Sequence, residues 1–403
     1  MNKYILSNNY GYLILTYLIP LLVIGSSVYI HGVLREYSDI YSITLDISRG
    51  DTVYGIPYRD FRFEYPPFIG FLWAMSSLVT KLVIYISHNY DPVIVHVYVL
   101  FFINAFFYIL YISAIETLVR EYDINGSFAK ILLSIASFSI IYYLMYNWDI
   151  VAISLAMWSL VYLFKRRYLV SSFILGLSVL SKIFTGVFVL PYLYYIHKVE
   201  GDNARYKAPA TLLFFLETVL LGFSLFMLLF PKAFQDFLSH HATWYCENCF
   251  YILFVDNIWD PLWRSISQAL MLSLPLLVTL YILVKNENCE VEEKTLYASL
   301  ISLASLISVS YVYSPQMNIS ITPLFLITGF LETLLLLLSD LLNTLIMIFW
   351  FRGELFREYL AIPYSDPHLR TSPIQWMAFT RIILLWIVIA LLLRRINRSY
   401  SYT

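Results

Sequence analysis

Ionisable side chains crowd one short stretch of an otherwise apolar chain. Asp39 and Tyr41 lie just past a membrane-length apolar segment. After Gly50, Asp51 and Gly55 come Pro57-Tyr58-Arg59-Asp60-Phe61-Arg62-Phe63-Glu64-Tyr65-Pro66-Pro67, and then the next apolar run. Charged residues make up 13% of the whole chain, so their density here marks either a solvated linker or a place where polar chemistry meets lipid. The prolines favour the second, because they fix φ and withdraw backbone donors, giving a stiff platform. Such a platform suits a catalytic carboxylate or a clamp on a lipid phosphate. By residue type alone, Asp39 also reads as a helix-capping aspartate.

Three further groups carry chemistry. Lys182 stands between apolar residues 168–180 and 183–197, where an ammonium is costly unless it faces a cavity or a partner, or snorkels to water. Ser181 and Gly186 point to an interrupted helix there. Asn147 and Asp149 flank Trp148 at the start of another apolar run, where capping accounts for a polar residue. Finally, His240-His241-Ala242-Thr243-Trp244-Tyr245-Cys246-Glu247-Asn248-Cys249 offers two histidines and a C-x-x-C. Those four side chains suit a metal, the cysteines suit a small disulfide ring, and His240 and His241 beside Trp and Tyr suit contacts to a sugar.

The elements that must hold these groups are membrane helices. The chain has 403 residues, is 60% hydrophobic and has a mean hydropathy of +0.71, far above a soluble domain. Apolar runs fall at 11–31, 92–119, 129–146, 149–164, 168–197, 208–230, 263–284, 295–313, 319–350 and 374–393, against the roughly 20 residues a spanning helix needs. The runs 168–197 and 319–350 are long enough to be two broken helices each. Long apolar blocks instead of alternation exclude a β-barrel. The expected fold is therefore all-α, a polytopic transmembrane bundle of about 11–12 spans. It forms one integral domain, 1–403, with polar loops at 32–65, 231–262 and 352–373. A net charge of −1 gives no basic field for nucleic acid.

Lysine and arginine mark the cytoplasmic side. Lys165-Arg166-Arg167, Lys198 with Arg205 and Lys207, and Arg394-Arg395 with Arg398 set the frame. Asn147-Trp148-Asp149, loop 231–262, Ser314-Pro315-Gln316 and loop 352–373 then face outwards. A full crossing by 66–88 would reverse that assignment, so this segment is expected to be re-entrant or surface-lying, interrupted near Lys81.

The order Asp-Ile-Tyr at 39–41, Gly-Ile-Pro-Tyr at 55–58 and Phe-Glu-Tyr-Pro-Pro at 63–67 resembles the first outer loop of the GT-C superfamily of membrane glycosyltransferases. The nearest branch is the polyprenyl- or dolichyl-phosphate-sugar-dependent α-1,2-mannosyltransferase-like group. Asn147-Trp148-Asp149-Ile150, Gly176-Leu177-Ser178, Ser181-Lys182-Ile183-Phe184, Leu190-Pro191 and Tyr313-Ser314-Pro315-Gln316 continue the likeness in order over roughly residues 10–330.

The resemblance implies an inverting hexosyltransferase, mannosyltransferase-like, with Asp39 as catalytic base. Its donor is a sugar on a polyprenyl or dolichyl phosphate, and its acceptor a glycan or glycolipid at the extracytoplasmic face of the plasma membrane. Lys182, Arg59 and Arg62 are expected at the donor phosphate, with Tyr41, Glu64, Tyr65, Asn147, Asp149, His240 and His241 around the substrates. No metal ligand set is assigned, and a divalent cation between Asp39 and the phosphate stays open. The rival class is a lipid-linked-sugar flippase or a non-catalytic glycolipid-binding subunit. Transporter folds carry internal repeats, and the charged first loop has no counterpart in the second half of this chain.

Overall fold

The computed structural model of the chain describes residues 17–48, 54–87, 89–122, 127–255, 257–285, 289–355, 358 and 366–398. Among them the chain is helical, with two isolated bridges and no strand. Gly50, Asp51 and Arg357 lie outside the described residues.

Helix α1 (Ile19–Val28) runs through a π-helical turn, Tyr29–Val33, to the polar loop. Short α2 (Asp39–Ser48) follows, then α3 (Pro67–Ile86) and α4 (Pro92–Glu121). The run near 129–146 splits into α5 (Phe128–Ala136) and α6 (Phe138–Tyr143) at Ser137, whose hydroxyl accepts from Ile140 N at 3.5 Å. The run 168–197 breaks as its length suggested. Helix α7 (Asp149–Phe164) is followed by α8 (Tyr168–Val179), a 3-10 turn at Ile183–Phe188 and α9 (Val189–Glu200). After α10 (Ala204–Leu229), α11 (Pro231–Thr243), α12 (Pro261–Lys285) and α13 (Val291–Ser308), the run 319–350 also divides. It gives a 3-10 segment, Pro315–Ile327, and α14 (Phe330–Phe351), and α15 (Pro373–Arg398) follows.

Among the described residues, six stretches are long and apolar enough to cross a membrane, and four shorter apolar helices accompany them. The chain is thus an all-helical, multi-pass membrane protein. The 11–12 full-length spans expected from run length are not matched by single helices of that length. Hydropathy does not register the breaks that serine caps and prolines introduce.

One expectation is corrected at residues 66–88. Helix α3 is continuous through Lys81, whose ammonium sits 5.8 Å from the Tyr54 ring. Trp73, Ser76 and Thr80 of α3 all meet His96 of α4, which fixes where the two helices touch. Further along α4, Asn104 donates to the carbonyls of Leu144 and Asn147, beside the start of α7. Glu121, at the end of α4, pairs with Lys165 at the end of α7. Helix α4 therefore descends alongside α7 only from about Asn104 onwards. Helix α3 meets the bundle at the end where α7 begins, with Phe68 N donating to Leu180 O at 3.1 Å and the Trp73 ring 5.7 Å from Trp148.

The two ends of the bundle differ in charge. Lys165, the Lys207–Glu200 pair with Tyr168, and Arg395 with Glu332 gather at one end. The opposite end carries the first polar loop, the start of α7, and loop 231–262. It also holds Arg352, through its ion pair with Glu36, and His368, through its ring contact with Tyr245.

Candidate active site

At the second of these ends, a cavity of about 750 Å³ opens among the polar loop, the 3-10 turn Ile183–Phe188, α12 and the 244–248 loop. Asp39 lines it as the first residue of α2. Ser38 supplies the cap, since its hydroxyl accepts from Tyr41 N at 3.2 Å. The Asp39 carboxylate is therefore free of capping duty, and Oδ2 instead accepts the Tyr65 hydroxyl at 2.7 Å. Burial pushes the Asp39 carboxyl up to about 7, with the charges of Glu247 and Glu64 adding to the rise while Tyr65 and Lys182 oppose it. A base poised near neutrality is what proton abstraction at physiological pH requires.

The loop that presents Tyr65 is stiff for identifiable reasons. Tyr58 sits in the left-handed region at φ 72°. Its hydroxyl donates to the carbonyls of Tyr65 and Pro66 at 2.7 and 3.0 Å. The Tyr58 ring lies on Gly70 of α3, where a Cβ would come within 2.3 Å of it. Tyr65 also meets Trp148 edge-on at 4.6 Å. Backbone strain and close ring packing hold the platform together, in addition to the prolines.

Lys182 extends from the break after α8, with its Nζ 2.8 Å from Asp149 Oδ1 and 6.0 Å from the Tyr65 ring centre. The Lys182 side chain is 14% exposed and Asp149 is fully buried. Asn147 Oδ1 accepts from Asp149 N at 3.0 Å, bracing the turn that leads into α7 ahead of its N-cap, Trp148. Asn147 and Asp149 thus stand behind the cavity wall, Asp149 as the anion that holds Lys182.

His240, His241 and Glu64 reach the cavity from its outer rim. Burial, with the positive charges of His241 and Arg62, brings His240 down to about 4, so its 3.3 Å approach to Glu64 Oε2 is that of a neutral ring. Cys246 and Cys249 form a disulfide, which removes both sulfurs from the four-ligand metal set weighed above.

Arg59 and Arg62, expected at the donor phosphate, are exposed and do not line the cavity. Arg59 is engaged by Asp60 at 2.8 Å. Tyr41 turns towards the hydrophobic core. Arg59 points away because the tight turn at 56–61, closed by Tyr58 N to Phe61 O, faces solvent, whereas Arg62 is exposed yet near enough to the rim for its charge to act on Glu64 and His240.

Among the cavity residues that were missed, Glu247 and Arg264 carry charge. Glu247 lies between the paired cysteines and accepts from Trp244 Nε1 at 2.8 Å. Arg264 of α12 donates to the carbonyls of Thr243 and Trp244, and its guanidinium lies 5.5 Å from the Tyr311 ring. Its Nε has no partner, and no carboxylate pairs with it among the described residues. The available signals were a glutamate inside a C-x-x-C and a lone arginine opening an apolar helix. Below this wall, Arg381 of α15 is fully buried. It donates to the carbonyls of Asn248 (3.1 Å) and Tyr313 and to Asn343 Oδ1, with its guanidinium 3.9 Å from the Tyr313 ring centre.

The cavity is not wholly polar. Ile183, Leu272, Met271 and Val187 also line it, and Ile183 and Leu272 are 55% and 78% exposed on the apolar flank of the bundle. The polar chamber is therefore continuous with the lipid-facing surface between the 3-10 turn and α12.

No family model matches the chain, and no curated protein is similar to it.

Proposed function

We propose that this protein is an inverting membrane glycosyltransferase of the GT-C type. It transfers a hexose, mannose foremost, from a polyprenyl or dolichyl phosphate to a glycan or glycolipid at the extracytoplasmic face of the plasma membrane. The observation that carries the reading is a carboxylate held near neutrality, Asp39, in a chamber that opens sideways onto apolar surface. A donor with a water-loving sugar phosphate and a long hydrocarbon tail needs that combination.

In this reading Asp39 takes the proton of the acceptor hydroxyl as its oxygen attacks the anomeric carbon. The bond from that carbon to the phosphate oxygen breaks on the opposite face, and the lipid phosphate leaves with the electron pair. Attack and departure on opposite faces invert the centre, with no carboxylate nucleophile needed. Lys182 and Arg264 supply positive charge to the leaving phosphate. Arg264 is the better placed for this, because Asp149 already offsets the charge of Lys182. A divalent ion stays open as a further partner of the phosphate. The basic residues gathered at the far end of the bundle favour an extracytoplasmic site.

The test is transfer from a radiolabelled polyprenyl-phosphate hexose to a crude lipid extract in detergent, comparing wild type with Asp39→Asn. Transfer by wild type alone is expected. Equal transfer by both removes Asp39 from the mechanism, and donor binding without transfer by either favours a flippase or a binding subunit.

A further inference from the structure

The transfer step above leaves one polar wall of the cavity unused. It forms where Cys246–Cys249 lies beside Tyr311–Tyr313. Glu247 N donates to Tyr311 O at 3.3 Å, and Tyr313 N donates to Glu247 O at 3.0 Å. The disulfide closes a four-residue ring, inside which Asn248 takes a left-handed φ of 49°. Arg381 grips the Asn248 carbonyl from beneath. The backbone is fixed from three sides, and the side chains of Glu247, Asn248 and Gln316 line the cavity.

Two carbonyl oxygens on this wall receive no donor. Asn248 Oδ1 and Gln316 Oε1 are buried and have no hydrogen-bond partner, although Asn248 as a whole is 1% exposed. The Glu247 carboxylate takes bonds from Trp244 and Ser314, which leaves part of its roughly four acceptor positions unfilled. Unpaired buried acceptors are costly, so two of them beside a partly filled carboxylate call for a ligand that brings several donors. Lys182 and Arg264 share the chamber with Asp39, Glu64 and Glu247, and these groups do not gather into a metal-ligand cluster among the described residues. A neutral ring bearing several hydroxyls fits. Trp244 and Tyr245, nearly parallel with centres 5.5 Å apart, add a flat flank suited to the apolar face of such a ring.

We propose that Glu247, Asn248 and Gln316 form the subsite for the acceptor sugar, receiving hydrogen bonds from its hydroxyls. The word acceptor rests on the glycosyl-transfer reading, whereas sugar binding on this wall does not. The probes are methyl α-D-mannopyranoside and methyl α-D-glucopyranoside, read by saturation-transfer NMR on the full chain in detergent. Wild type and Asp39→Asn are expected to bind at least one of them. Glu247→Gln and the nearly isosteric Gln316→Leu weaken that binding about tenfold or more, the scale of one lost buried hydrogen bond. In the transfer assay both variants raise the KM for acceptor and leave that for donor unchanged, which also reports that they fold.

Binding at wild-type strength in both variants overturns the subsite, as does a transfer-competent wild type that binds neither glycoside. A rise in donor KM overturns its assignment to the acceptor. A wild type that binds glycoside through these residues yet transfers nothing defeats the proposed function and upholds the sugar subsite.

Discussion

Asp39 and its neighbours make opposing demands that pH can read. The carboxylate is the active form of a base, so turnover should climb with pH through about 7 and fall away below it. Tyr65 stabilises the charged form by donating to it. Tyr65→Phe should therefore make Asp39 hold its proton more tightly and move the acid limb of the profile to higher pH. Glu247 acts in the other direction through its charge, so Glu247→Gln should move the limb to lower pH. Lys182 and Glu64, which also face Asp39, are unchanged in both variants. A pH–rate profile of the three proteins checks the signs, and shifts in the same direction would refute this electrostatic account. Asp39→Asn should lose about 10²–10⁴-fold in rate, the usual range for one general base.

At the scale of elements, the break between α8 and α9 and the loop on α3 decide whether these groups meet. A buried pair broken by removing one partner typically costs about 3–5 kcal/mol. Asp149→Asn should therefore lower thermal stability in detergent more than the double change Asp149→Leu with Lys182→Met. The double variant should fold but transfer poorly, which separates support from function. Gly70→Ala drives a methyl group into the Tyr58 ring, and overpacking of that kind costs about 1–3 kcal/mol. Loss of transfer should accompany it, and unchanged melting and rate would deny Tyr58 its bracing role. Much of this organisation was legible in sequence. Apolar run length exposed the helices and the broken runs, and a lysine amid apolar residues exposed the break at 182. The cavity's second wall was not legible, because Glu247, Arg264 and Gln316 come from segments far apart in the chain. Arg59 misled because residue type does not say which way a tight turn faces, and Arg62 reaches the rim only through its charge. The continuity of α3 through Lys81 was hidden for a similar reason: the lysine leans on Tyr54, and the sequence shows only an interrupting charge.

Across the whole molecule, the separation of the basic end from the cavity end makes orientation testable. In a Cys289→Ser background, a cysteine at exposed position 62 should react with a membrane-impermeant maleimide on intact cells. One at exposed position 205 should react only after permeabilisation. The reverse pattern would put the cavity in the cytoplasm and remove the proposed setting. Arg381 has a further consequence, one of timing. The residues whose carbonyls it grips, Asn248 and Tyr313, leave the ribosome well before the arginine does. Until α15 is made and inserted, the ring has its packing against Tyr251, Ile252 and Tyr311 but its Asn248 carbonyl lacks this donor. The wall thus gains its last fixed contact only when nearly all of the described helices are in place.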